Sequence, residues 1–244
     1  MEIEKGIEIK GPSLFLKKEK ILIICDIHIG QERIMNRQGI NIPLNQYKQI
    51  NEFTEKILEE TKPKQIIING DLKHDFGKIT NDEWDKITLF LKNLKKYSDV
   101  IIIAGNHDKV LQPITGKLKI NMKKHYFLNN IYITHGDIIP ENSEFAKAKT
   151  IIIGHEHPAI KLKDGNRIET YKAFIKGKYK NKTLIVMPSL NPLSEGSDIL
   201  TEKFLSPFLK ESKKQKTLAE FESYILDDQN NVYFFGKIKG LGKL

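Results

Sequence analysis

At 244 residues the chain can bury a substantial core, as one large domain or one domain with a modest appendage. Lysine and arginine total 40 against 31 aspartates and glutamates, a formal charge of +9 that leans weakly toward polyanionic partners. One cysteine excludes an internal disulfide, and no apolar run approaches the roughly 20 residues needed to cross a membrane. With no basic, apolar leader at its start, the chain is expected to be cytoplasmic, without a membrane partner.

In chain order, Gly6 to Leu16 predicts a short hairpin punctuated by Gly11-Pro12. Ile21 to Cys25 is a β-branched run too short for a typical helix and apolar on both faces, which suits a strand covered from both sides. Cys25 is expected there as a small buried residue. Ile66-Ile67-Ile68, Val100 to Ile103, Ile131 to Thr134, Ile151-Ile152-Ile153 and Leu184 to Met187 predict further strands. Between them, Ile50, Phe53, Ile57 and Leu58 form a helical face within Asn45 to Thr61, ended before Pro63. Thr80 and Glu83 have capping-box spacing, and Trp84, Ile87, Leu91 and Leu94 line a second helix. Strand alternating with helix argues an α/β domain through about residue 158.

The character then changes. Residues 160–183 carry eight Lys or Arg with two acids and predict a basic hairpin or insertion. Its cations Lys161, Lys163, Arg167, Lys172, Lys176, Lys178, Lys180 and Lys182 are candidates for holding phosphates, with Tyr171, Phe174 and Tyr179 as candidate stacking surfaces. Phe204 to Lys216 predicts a surface helix broken at Pro207. Two strands follow around Asp227 to Asn231, and residues 236–244 predict a flexible basic tail. A single domain over 1–244 is expected.

Six of the seven histidines fall in five blocks: Asp26-Ile27-His28, Gly70-Asp71-Leu72-Lys73-His74, Gly105-Asn106-His107-Asp108, His135-Gly136-Asp137 and Gly154-His155-Glu156-His157. Most follow a strand-like run, and mixed N and O donors at successive strand ends are what a multinuclear metal site needs. In a continuing strand Asp26 and His28 would share a face. Asp71 is the preferred bridge, because a carboxylate has two donor oxygens. Asn106 can offer its carbonyl oxygen to a metal. His107 is suited to stabilise or protonate an oxygen opposite a nucleophile, with Asp108 or another carboxylate holding its ring. His135 joins His155 and His157, which point one way while Glu156 points away. His74 and Asp75 could bond to ligands, contact substrate or simply shape their loop.

This ordered set resembles the calcineurin-like metallophosphoesterase superfamily, closely over residues 21–158. The resemblance implies a four-layer αββα sandwich with two mixed β-sheets. It assigns Asp26, His28, Asp71 and His157 to one metal and Asp71, Asn106, His135 and His155 to the other. It also makes His107 catalytic with Asp108 as its partner. Gly70-Asp71-Leu72-Lys73-His74-Asp75-Phe76-Gly77 and Gly154-His155-Glu156-His157-Pro158 look most like archaeal phosphoesterases related to SbcD-type double-strand-break repair nucleases, and bacterial DNA-ligase-associated members are similar. The second block lacks the Gly-Asp-x-x-Asp-Arg-Gly of serine/threonine phosphatases.

The function expected is a divalent-metal-dependent phosphodiesterase, a nuclease on DNA or RNA in which two ions activate a bridging hydroxide. The imidazole-rich donors suit manganese, iron, zinc or nickel, with magnesium possible, and the family resemblance puts manganese first. A phosphatase or phosphodiesterase of small nucleotides or other phosphoesters is the second reading. A noncatalytic nucleic-acid-binding or complex-forming subunit is the third. DNA repair, a DNA-processing protein partner and a homodimer are family-level expectations.

Overall fold

In the computed structural model, which describes residues 1–165, 167–201 and 203–241, the isoleucine-rich runs pair into two mixed sheets. The first takes its strands in chain order: β1 (Glu2–Glu4), β2 (Ile7–Lys10), β3 (Ser13–Leu16), β4 (Ile21–Ile24), β5 (Gln65–Asn69), β6 (Asp99–Ile103) and β7 (Asn121–Lys123). β1 to β4 pair antiparallel, whereas β4 to β7 run parallel. The expected hairpin over Gly6 to Leu16 is β2–β3.

The second sheet contains β8 (Tyr126–Leu128), β9 (Ile131–Ile133), β10 (Thr150–Ile153), β11 (Pro158–Asp164), β12 (Arg167–Tyr179), β13 (Lys182–Val186), β14 (Ser197–Asp198), β15 (Glu222–Leu226) and β16 (Val232–Lys237). Its path is β14-β11-β12-β13-β10-β9-β8, with β15 joined to β12 and β16 to β15. β9, β10 and β13 run parallel. Helices α1 (Gln31–Arg37), α2 (Gln46–Thr61), α3 (Asn81–Tyr97), α4 (Gln112–Leu118), α5 (Ser143–Lys147), α6 (Pro207–Lys214) and α7 (Ile238–Leu241) connect and cover the strands.

Alternation explains why the strands are apolar throughout. Ile67 of β5 faces inward with Ile21, Ile23 and Ile103, meeting Ile133, Ile152, Phe174 and Ile185 of the second sheet. Ile66 and Ile68 face outward onto Ile50, Ile57 and Leu58 of α2 and Ile87, Phe90 and Leu91 of α3. The outer face of the second sheet packs on Phe145 of α5, Phe208 and Leu209 of α6 and Ile238 and Leu241 of α7. Helix, sheet, sheet and helix thus make the four layers. The Thr80–Glu83 capping box is present at the start of α3.

Some expectations are corrected. Pro207 does not break a helix: it begins α6, at a position where a missing N–H costs nothing. The basic tail does not trail off at 236, because β16 runs to Lys237 and α7 buries Ile238 and Leu241. Residues 242–244, including Lys243, lie outside the described residues. The basic 160–183 segment is a hairpin, β11–β12, whose second strand continues into the sheet beside β13 and β15.

Candidate metal centre

Parallel register brings the ends of β4, β5 and β6 to one edge, Ile24 beside Ile68 and Ile68 beside Ile102. The ends of β9 and β10 reach the same region from the second sheet. The loops then interlock: Asp26 N–H donates to Gly70 O at 3.0 Å, His28 N–H to Asp71 O at 2.9 Å, and Gly154 N–H to His135 O at 2.9 Å. The Asn69 amide donates to Thr134 O at 2.9 Å, tying one sheet to the other beneath the site.

β4 stops at Ile24, so Asp26 and His28 do not share a face by continuing a strand. Both are left-handed, with φ of 53° and 49°, as are Asp71, His155 and His157 at 52°, 64° and 48°. For residues other than glycine that conformation is uncommon and concentrates at functional sites. Close approach also dictates two glycines. A Cβ at Gly105 would strike the Asp71 carboxylate, and one at Gly154 the Asp26 carboxylate.

The seven expected ligands converge. Asp26 Oδ1 lies 3.2 Å from His157 Nε2, which is 3.3 Å from His28 Nε2. Asp71 Oδ2 lies 3.9 Å from His28 Nε2 and 3.4 Å from His135 Nε2. His135 Nε2 is 3.0 Å from Asn106 Oδ1 and 3.1 Å from His155 Nδ1. Among the described residues, three groups linked through His28 and Asp71 could each hold an ion: Asp26, His28 and His157; Asp71, His135 and His155; and His28, Asp71 and His107.

The donor set fits divalent cations. Facing imidazole nitrogens at 3.1 and 3.3 Å need a proton or a cation between them. Burial, with the neighbouring His157, drives His28 down to about 3, which leaves it neutral with one ring lone pair to offer. Burial and His135 also lower His155. Burial works against the charged forms of Asp26 and His135, but their partners prevail. The histidines around Asp26, His157 first, hold it well below the usual carboxylate range. Asp71 and Asp26 raise His135 to about 9. A bound metal would take the place of that proton.

His107 sits beside this cluster, with Nε2 3.7 Å from Asp71 Oδ2 and its side chain 14% exposed. Its Nδ1 donates to the backbone oxygen of His74. Asp108 or another nearby carboxylate was expected to hold this ring, and Asp108 does not. Its buried carboxylate accepts the backbone N–H groups of Asp71 at 2.8 Å, Leu72 at 3.0 Å and Gly105 at 2.9 Å, pinning two ligand loops together. The His74 ring stands edge-on to His28 at 5.2 Å, whereas Asp75 accepts from Gly77 N–H at 3.0 Å within its own loop.

The basic hairpin contributes less than its composition suggests. Lys172 Nζ donates to Ser189 O at 2.8 Å and also to Asn191 O, and burial pulls it down to about 8. Lys182 is buried on Ala146 O and Ala148 O, at 2.8 and 2.6 Å. Lys176 bonds to Ile3 O and Glu222, both at 2.8 Å. Phe174 and Tyr179 are core residues, and the Tyr171 hydroxyl is bonded to Glu169. Lys161, Lys163, Arg167, Lys178 and Lys180 remain exposed.

Sequence reasoning missed a polar layer behind the ligands. The buried Gln46 amide donates to His28 O and Asn191 Oδ1, both at 2.9 Å. Ser189 donates to Asp26 O at 2.6 Å, and Ser194 Oγ lies 3.2 Å from His157 Nδ1. The signal was faint: Ser189-Leu190-Asn191 follows the Leu184 to Met187 run just as the histidine blocks follow theirs.

An αββα sandwich with carboxylate and imidazole donors at its strand ends defines a metallophosphoesterase. The chain matches the calcineurin-like phosphoesterase family over residues 19–216 and belongs to that family of hydrolases, which uses divalent metals. No curated protein matches it. Among solved structures, a nuclease MPE from Pseudomonas putida is 17% identical, covers 94% of each chain and has a TM-score of 0.66, so the fold is shared. Vacuolar protein sorting 29 from Cryptosporidium parvum is 14% identical over 89% of this chain and 97% of its own, with a TM-score of 0.40.

Proposed function

We propose that the chain is a divalent-metal-dependent phosphodiesterase acting on DNA or RNA. The observation that carries this reading is the chain of candidate ligand groups linked through His28 and Asp71, at whose junction His107 sits with its Nδ1 bonded to a backbone carbonyl. Asp26, His28, Asp71 and His157 would hold one ion, and Asp71, Asn106, His135 and His155 the other. When bound, the ions supply Lewis acidity for in-line attack of water on phosphorus. The chain's own part is geometric and protonic. Left-handed loops fix the donors, and Asp108 holds the Asp71 and Gly105 backbones in place. His107, with Nδ1 fixed on a carbonyl, keeps Nε2 free to carry a proton toward the departing oxygen.

That the Pseudomonas putida protein sharing this fold is a nuclease supports nucleic acid as the substrate class. The Gly-Asp-Leu-Lys-His and Gly-His-Glu-His-Pro blocks support the archaeal, repair-nuclease-related branch. The mixed imidazole and oxygen set accepts manganese among other divalent ions, and the family resemblance puts manganese first. One observation favours a small phosphoester instead. A cavity of about 360 Å³ is lined by Phe53, Tyr171, Lys172 and Ser194, and Ser194 is the residue bonded to His157.

After reconstitution with manganese, elemental analysis should find two ions per chain, and Asp71→Ala should lose both while circular dichroism stays native. Saturation of folded protein by one ion would sink the binuclear assignment. The loaded enzyme should cut single-stranded DNA or RNA. Efficient hydrolysis of mononucleotides with neither polymer cut would decide for the small substrate.

A further inference from the structure

An exposed aromatic side chain lies directly on the candidate catalytic histidine. The Phe76 ring stacks on the His107 imidazole with centroids 3.7 Å apart and planes 29° apart, yet Phe76 is 65% exposed. One face of the ring is therefore covered by His107 and the other is open to solvent. The loop that carries it is anchored at several points. Buried Lys73 donates through Nζ to Asp75 O and lies 3.5 Å from Glu83. His74 N–H donates to Ile29 O at 3.2 Å, and His74 O takes the proton of His107 Nδ1. The Asp75 carboxylate turns back onto Gly77 N–H at 3.0 Å instead of facing outward. Lys78, two residues beyond Phe76, and Lys109, two beyond His107, are exposed. Neither has a carboxylate partner among the described residues.

We infer that the open face of Phe76 is a stacking subsite for a nucleobase next to the scissile phosphate, with Lys78 and Lys109 placed for neighbouring phosphates. This rests on the phosphodiesterase reading and narrows it to substrates with a base at the cleaved bond. A flat apolar ring beside unpaired cations is the combination that holds unpaired strands without reading their sequence, because every base presents a π-face. An ordinary apolar cover for His107 would be met by any bulky side chain. A stacking subsite needs a plane.

The test uses the full chain loaded with manganese and two single-stranded oligonucleotides. They are identical except that one carries abasic sites on both sides of the preferred cleavage position. Wild type should prefer the intact strand by about 5- to 150-fold in kcat/KM, the range that one base–aromatic stack supplies. In Phe76→Leu that ratio should collapse toward 1, and Phe76→Trp should restore it. A wild-type ratio near 1, or a ratio unmoved in Phe76→Leu, overturns the proposal, even if both substrates are cut more slowly. If wild type cuts no oligonucleotide, the nuclease reading fails by itself. The same variants are then compared on a nucleoside phosphodiester and an alkyl phosphodiester. Loss of discrimination in Phe76→Leu supports the subsite there, and no change refutes it.

Discussion

His107 and Asp108 are adjacent in sequence and serve different ends. His107 lies partly exposed beside the Asp71 carboxylate, whereas Asp108 is wholly buried among backbone N–H groups. His107→Asn should therefore keep both ions and lose about 10²–10⁴-fold in turnover, the usual range for a removed proton donor. Metal analysis alongside kinetics on a poor-leaving-group diester checks this, and unchanged turnover would refute the role. That these candidate residues would converge was legible at this scale because Asp, Asn and His at the ends of buried strands have no packing reason to be there. Their backbone was not legible. Five left-handed residues, each costing on the order of 1–3 kcal/mol, emerge only when loops from two sheets interlock.

Glu156 shows what joins the elements. The alternation of His155, Glu156 and His157 was read with the acid pointing away, and it does, onto α6. There its Oε2 accepts Leu205 N–H at 2.9 Å and Ser206 N–H at 2.7 Å, while Ser206 Oγ donates to Gly136 O at 2.7 Å. The start of α6 is thereby clamped to two ligand loops. Glu156→Ala leaves those donors unpaired and should cost about 1–3 kcal/mol in urea unfolding of the metal-free chain. A change within about 0.5 kcal/mol, the spread of ordinary surface substitutions, would show that the clamp is dispensable. Strands and helical stripes were legible because both faces of each run had to be apolar or amphipathic. The lysines of β12 and β13 misled because composition cannot distinguish a cation facing water from Lys172 or Lys182 bonded to carbonyl oxygens.

In the whole molecule the two sheets are consecutive in the chain, β1 to β7 and then β8 to β16, and each supplies part of the site. Asp26, His28, Asp71 and Asn106 follow strands of the first, and His135, His155 and His157 follow strands of the second. The layered architecture was expected from family resemblance. Strand order and the Asn69–Thr134 tie between sheets depend on contacts far apart in sequence, which periodicity does not encode.

That division of donors has a kinetic consequence. Neither half of the chain supplies all the donors proposed for either ion, so a bound ion would act as a clasp that closes after the sheets have docked. Interactions absent from the folding transition state slow unfolding and leave the folding rate alone. At free manganese about 100-fold above its dissociation constant, the chain should unfold up to about 100-fold more slowly for each ion bound than in chelator, with its refolding rate unchanged. Stopped-flow traces under the two conditions measure both rates. Refolding that quickens with manganese would mean that the ion is captured early, before the sandwich closes.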